Sequence, residues 1–284
     1  MMLALLVGGG CERKSGPGGK VVGTRPRVAS LVPAATDLLI AMGAGDHLVA
    51  ISNYDVTREA TTGLPRVGDY QTFDWEQIAA LRPDVMIVFM TPDRMPAGLK
   101  QRADGLGIRL VNVRTERLSD IVNETENLGR VVGEEAKAAR EVSRIVWQIV
   151  SAAERVRGRE RVRTLLVRDK NAEGVVGREN FLNDALEAAG GDNVVKATGW
   201  PSIDRELLMT LKPEVIIQLL PEAGAQTVQE AKRVWGTMPD IPAVANGRVY
   251  VMTDWWVQNS GSHVGEMAAR FVGILHRSDQ RGRQ

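Results

Sequence analysis

The stretch EEAKAAREVSRIVWQIVSAAERVR, residues 134–157, decides how the rest of the chain is read. Its apolar residues Val142, Ile145, Val146, Ile149, Val150, Ala153 and Val156 recur at threes and fours, which predicts one long amphipathic helix with a single apolar stripe. Glu141, Arg144, Gln148, Ser151 and Arg155 fall on the opposite side, where water is expected, and Trp147 is assigned to packing or to the contact with a lobe. Glu134 and Glu135 open the segment, and Arg155, Arg157 and Arg159 close it, so each end carries the sign that suits the helix dipole. Such a helix would be about 36 Å long, roughly the span of a small domain. It lies near the middle of the chain, between two halves that resemble one another, and so reads as a strut joining two similar lobes.

The strands and helices on either side carry that reading outward. RVASLV (27–32) is a short strand candidate running into PAATDLLIAMGAG, a helix with Pro33 near its start and Gly43 at its end. Between Ile51 and Thr72 periodicity is weak. WEQIAAL (75–81) reads as a helix halted by Pro83, VMIVF (85–89) as a buried strand, then a helix near 95–106, the strand IRLVNV (108–113) and a helix over 118–132 stopped by Gly133. After the strut come a strand at 163–168, a helix over 180–191, the helix DRELLMTL halted by Pro213, and strands at 215–220 and 248–252. Strands alternating with helices predict an α/β fold in which each lobe is a small sandwich with a parallel sheet, and the two are joined by one long backbone helix. The expected divisions are 1–26 as signal and tether, 27–133 as the N-terminal lobe, 134–157 as the helix and 158–284 as the C-terminal lobe.

The two halves match residue by residue. YQTFDWEQIAALRPDVMIV from Tyr70 and WPSIDRELLMTLKPEVIIQ from Trp200 align without gaps at an offset of 130 residues. The offset pairs Asp74 with Asp204, Glu76 with Glu206 and Pro83 with Pro213, and GIRLVNV at Gly107 is echoed by GRVYVM at Gly247. Any βα unit has apolar matches; an aromatic, Asp, Glu and Pro in register point to a duplicated lobe.

Composition sets the outer limits. The 284 residues are 44% hydrophobic and 25% charged, an ordinary globular balance, and the net charge near +1 gives no electrostatic case for nucleic acid. No apolar run reaches the roughly 18 residues of a membrane span. Cys11, the single cysteine, rules out an intrachain disulfide or a Cys-rich metal site. It follows MMLALLVGGG and precedes the Gly-rich ERKSGPGGK, an order resembling a bacterial lipoprotein signal in which the cysteine is lipidated, with Gly8 standing where that pattern has Leu. The expectation is a periplasmic or otherwise extracytoplasmic protein, attached to a membrane through a lipid on Cys11 only. There is no G-x-S-x-G elbow, P-loop or H-E-x-x-H, and GAGDHL at Gly43 lacks the third glycine of the dinucleotide fingerprint, so no enzyme and no cofactor is expected. His47, His263 and His276 are far apart in sequence and are assigned to structure or surface, with no metal site expected.

Ligands of open α/β sheets sit beyond the carboxyl ends of strands. The residues there are the Ser30–Pro33 turn, Phe89 after VMIVF, and Trp255 and Trp256 after RVYVMTD; Tyr70 and Trp200 occupy matched loops of the repeat. Aromatic side chains cover broad flat ligands at low entropic cost. Arg168, Lys170 and Arg178 bring positive charge toward the second lobe's rim.

Taken together, RVASLVPAATDLLIAMGAGDHLVAI, LPRVGDYQTFDWEQIAALRPDVMIV, FLNDALEAAGGDNV with WPSIDRELLMTLKPEVII, and NGRVYVMTDWW resemble a substrate-binding protein of bacterial ABC importers, of the helical-backbone type that carries cobalamin, ferric siderophores and haem. The resemblance covers roughly residues 27–276. It implies a metal-chelate ligand held between the lobes with little hinge motion, and delivery to a dimeric ABC permease with its ATPase. Cobalamin-binding members place aromatics at the positions matching Tyr70, Phe89 and Trp200 and an Asp–Trp pair matching Asp254–Trp255. Family glutamates matching Glu76 and Glu206 dock onto permease arginines, one lobe to each subunit. The loop Gly174–Gly177 departs by offering no aromatic, and the three basic residues near it would suit an anionic ferric siderophore or haem propionates.

Overall fold

The computed structural model describes residues 25–91, 96 and 98–277. Cys11 and its proposed lipid fall outside the described residues.

Two four-stranded sheets form, every neighbouring pair parallel. The first contains β1 (Val28–Ser30), β2 (Leu48–Ala50), β3 (Val85–Val88) and β4 (Arg109–Asn112); the second contains β5 (Val162–Val167), β6 (Gly191–Asn193), β7 (Val215–Leu219) and β8 (Val249–Met252). Their orders, β2-β1-β3-β4 and β6-β5-β7-β8, are the same order twice. The central strands β3 and β7 are buried throughout, as strands covered on both faces must be. The helices are α1 (Pro33–Ala41), α2 (Trp75–Leu81), α3 (Leu99–Gly105), α4 (Leu118–Val132), α5 (Glu135–Arg155), α6 (Phe181–Ala188), α7 (Arg205–Leu211), α8 (Ala225–Gly236), α9 (Pro242–Ala245) and α10 (Val264–Leu275).

The repeat seen in sequence extends to individual hydrogen bonds. Asp74 caps α2 by accepting the Gln77 N–H at 3.0 Å, and Asp204 caps α7 by accepting the Leu207 N–H at 2.8 Å. Both helices end on a left-handed residue, Arg82 (φ 48°) and Lys212 (φ 43°), immediately before the matched prolines. Arg27 donates to the Leu81 carbonyl at 2.9 Å, and Arg163 to the Leu211 carbonyl at 2.7 Å. Each arginine thus ties its first strand to the end of the helix preceding its central strand.

Each lobe has four strands, not the three read from sequence, because β2 and β6 are three-residue edge strands, too short to show a period. The second of them takes Gly191 from the segment read as helix 180–191, which ends at Ala188.

The larger correction concerns α5. It is a single 21-residue helix, about 31 Å long, linking α4 of the first lobe to β5 of the second. Its buried residues, however, are Ala138, Glu141, Ile145 and Ala152, so a carboxylate assigned to water is inside. The reason is α10, which packs along α5 and covers much of its polar side. Gln148 lies against Gly265, where an added Cβ would come within 2.4 Å of the glutamine oxygen. Glu141 is paired with Arg144, which also donates to the Ser262 carbonyl at 2.9 Å. In exchange, Val146, Trp147 and Val150 are 43%, 69% and 52% exposed, so Trp147 is not a packing residue.

Candidate ligand cleft

The carboxyl ends of the two sheets border a cleft of about 810 Å³ lined by residues of both lobes. Tyr70, Phe89, Trp200 and Trp255 all line it, together with the turn Leu31–Ala34 that follows β1.

Tyr70 stands on a tightly built turn. Asp69 Oδ1 accepts the N–H groups of Gln71 at 2.8 Å and Thr72 at 2.9 Å, so the loop folds around its carboxylate. Only glycine fits at position 68, where φ is 138° and an added Cβ would lie 2.2 Å from the Thr72 carbonyl. Tyr70 is 49% exposed and stacks on Tyr54 at 5.6 Å between ring centroids. The Tyr70 hydroxyl beside it raises the Tyr54 phenol above its ordinary pKa.

Trp200 is held from the other lobe. The strip Gly174–Gly177 runs alongside its loop, with the Val175 N–H donating to Pro201 at 3.0 Å and the Gly177 N–H to Gly199 at 2.9 Å. An added Cβ at Gly177 would lie 2.2 Å from the Ala197 carbonyl, so this position of the strip admits no side chain. Trp200 is 43% exposed, its ring edge-on to Phe181 at 6.2 Å. The Arg168 guanidinium lies 5.8 Å from that ring, whereas Lys170 turns toward Glu230 of α8 at 3.9 Å.

The structure separates the three residues after β8. Trp255 reaches the cleft, but Asp254 pairs with Arg270 of α10 at 3.1 Å, and Trp256 is 5% exposed and stacked on His263 at 5.1 Å. Of the three residues assigned to the ligand from sequence, Trp255 lines the cleft, and Asp254 and Trp256 are not among its lining residues.

Sequence reasoning missed the group that fixes this wall. Asp37 of α1 is 1% exposed; its Oδ2 accepts the N–H and hydroxyl of Ser262 at 2.8 and 2.7 Å, and its Oδ1 pairs with Arg58 at 3.0 Å. Arg58 in turn lies over the Trp255 ring, 4.1 Å from its centroid. Asp37 and Arg58 come from the first lobe, Trp255 and Ser262 from the second, so the network is a clasp between lobes. Thr115 to Ser260 (2.7 Å), the Phe181 N–H to the Glu116 carbonyl (2.7 Å) and Arg117 to Asp184 (2.7 Å) add further ties across the boundary. Beside the clasp, burial pushes the Asp55 carboxyl up to about 6, against the opposing pull of the Ser52 N–H and the Thr36 hydroxyl. Tyr54, Asp55 and Arg58 all lie in the aperiodic stretch after Ile51, where no pattern marked them.

Glu76 and Glu206 are both exposed, in the first turns of α2 and α7. No group of three His, Cys, Asp or Glu side chains able to hold a metal ion occurs among the described residues. None of their helices is long and apolar enough to cross a membrane.

A family model described as "Periplasmic binding protein" matches residues 28–254. A protein named vitamin B12-binding protein, from Vibrio parahaemolyticus serotype O3:K6, is 26% identical over 233 residues, 81% of this chain and 82% of its own. The crystal structure of the periplasmic vitamin B12 binding protein BtuF of Vibrio cholerae shares the fold with a TM-score of 0.72 at 21% identity, covering 90% of this chain and 98% of that one. The periplasmic haem binding protein HutB of Vibrio cholerae does so with a TM-score of 0.75 at 18% identity, covering 89% of this chain and all of that one.

Proposed function

Because the chain belongs to the periplasmic binding protein family, we propose that it captures a corrinoid, cobalamin in the first instance, between its lobes and hands it to an ABC permease. The observation that carries this reading is the pair Tyr70 and Trp200. They are half-exposed aromatics from matched positions of a duplicated lobe, and both line one cleft large enough for a bulky flat ligand. Phe89 and Trp255 add apolar surface to the same cleft. The similarity to a vitamin B12-binding protein over four-fifths of the chain supports the choice of ligand. Arg168 beside Trp200 favours a second reading, in which an anionic ferric siderophore or haem takes the same place. The many ties between the lobes support a cleft that moves little on binding.

Tryptophan-fluorescence titration with cobalamin, haem and ferric siderophores tests the assignment. Saturable quenching by cobalamin at sub-micromolar concentration, without turnover, is the expected result; tighter binding of either other class transfers the cleft to it. Burying an aromatic face against the ligand is worth on the order of 1–3 kcal/mol. Trp200→Ala and Tyr70→Ala are each expected to weaken binding about 5- to 150-fold with little change in thermal stability. Normal binding by either variant would remove that residue from the site.

The family's extracytoplasmic setting agrees with a lipid on Cys11 as the means of attachment. Acyl mass on a chain beginning at Cys11, and release of Cys11→Ser into the soluble fraction, are the expected results. An unmodified, uncleaved N-terminus in membrane-extracted protein excludes the anchor.

A further inference from the structure

Ligand capture makes no use of the most exposed aromatic residue on the strut. Trp147 is 69% exposed, and the neighbouring Val146 and Val150 are 43% and 52% exposed. Beside them, between α4 and α5, runs a groove of about 430 Å³ whose lining includes Val122, Val146, Ile149 and Val150. Exposed apolar residues grouped on one helix face beside an apolar groove mark an interaction surface.

We propose that this face pairs with the same face of a second copy, the two α5 helices lying antiparallel with Trp147 at the two-fold axis. The outward residues Ala136, Arg140, Ser143, Trp147, Val150, Glu154 and Arg157 are all exposed and follow one another at alternating steps of four and three, which is a single seam for another helix. The seam is self-complementary in one orientation only. About Trp147, Arg140 and Glu154 stand seven residues to either side, about 10.5 Å along the helix. Antiparallel pairing therefore sets Arg140 of each copy opposite Glu154 of the other, forming two equivalent ion pairs, with Ser143 and Val150 of each copy lying between these pairs and the axis. A parallel pair would instead set Arg140 against Arg140 and Glu154 against Glu154. Glu154 already pairs with Arg157 in its own copy, so Arg140 from the second copy completes a cluster of three charges. Each tryptophan turns into the groove of the other helix, giving the interface its apolar centre.

The same charges speak against an anionic lipid surface as the occupant, since a basic rim would be needed there and on this seam Glu154 stands between Arg140 and Arg157. An interface of one helix per copy is small, and exposed ion pairs contribute little, so the dimer is expected to dissociate in the micromolar range. The charges set register; the tryptophan sets affinity. Neither Trp147 nor Arg140 lines the ligand cleft, so this inference is independent of the ligand.

Sedimentation velocity of the full chain at several concentrations tests it. A monomer–dimer equilibrium is expected for the unaltered protein, with Trp147→Ala weakening it at least about 10-fold. Arg140→Glu is expected to weaken it as well, and adding Glu154→Arg to that variant should restore it, because the ion pairs re-form with their signs exchanged. A merely local effect on the helix would not be repaired in this way. A monomer at every concentration overturns the proposal, as does a double variant no better than Arg140→Glu. A Trp147 emission shift on anionic vesicles without self-association would assign the face to lipid instead.

Discussion

Reversing both matched charges, Glu76→Arg with Glu206→Arg, is expected to abolish transport and permease-stimulated ATP hydrolysis while leaving ligand affinity unchanged. Both glutamates are exposed in the first turn of a capped helix, at positions related by the internal repeat. Neither lines the cleft, so their charge is not needed to hold the ligand. If the protein docks on a two-fold permease, it meets the same complementary surface twice, which would account for the same acid in both halves. The competing explanation is local: an acid in a first helical turn stabilises the helix by roughly 0.3–1 kcal/mol whatever it faces. The two explanations separate cleanly. Helix stabilisation alone predicts a small loss of thermal stability with transport at the normal rate. Docking predicts graded loss, each single reversal intermediate and the double complete. Reconstituted vesicles carrying the permease and its ATPase would show which holds, and normal transport by the double variant would remove the docking role.

What the sequence disclosed and what it hid follow from range. The repeat was legible because it rests on local signals: Asp74 and Asp204 cap helices three residues on, and Pro83 and Pro213 stop them. These are contacts within a turn or two, so identical residues give identical structure. Tyr70 and Trp200 were legible for the same reason, as matched loop positions. Asp37 was not. Its partners Arg58 and Ser262 lie 21 and 225 residues away, and no periodicity links them. The orientation of α5 failed for a related reason. Apolar spacing predicted its buried face from the helix alone, but α10, arriving more than 100 residues later, covered the polar side and left Trp147 outside. Trp256 and Asp254 show the limit at short range: adjacency to Trp255 says nothing about which of three turn residues enters the cleft.

Removing the Asp37 carboxylate is expected to cost more stability than any other single change considered. In Asp37→Ala, Arg58 loses its partner, and the N–H and hydroxyl of Ser262 lose their acceptor inside the protein. Breaking a buried ion pair by deleting one member costs about 3–5 kcal/mol, because the other charge stays behind unpaired. The lower end applies here, since the Arg58 side chain keeps 21% of its surface exposed while that of Asp37 keeps only 2%. Ligand affinity should fall with stability, because Arg58 seats Trp255 and Ser262 holds the end of the loop that carries it. The decisive comparison is Asp37→Ala against Asp37→Ala with Arg58→Leu. If the cost is that of a stranded guanidinium, taking away the second charge returns part of the loss, about 1–2 kcal/mol in denaturant unfolding. It does not return the affinity, since Trp255 is then without its cationic cover. Should Asp37→Ala unfold within about 1 kcal/mol of the unaltered protein, the clasp contributes nothing to holding the lobes together, and their fixed relation rests on α5, α10 and the ties made by Thr115, Glu116 and Arg117.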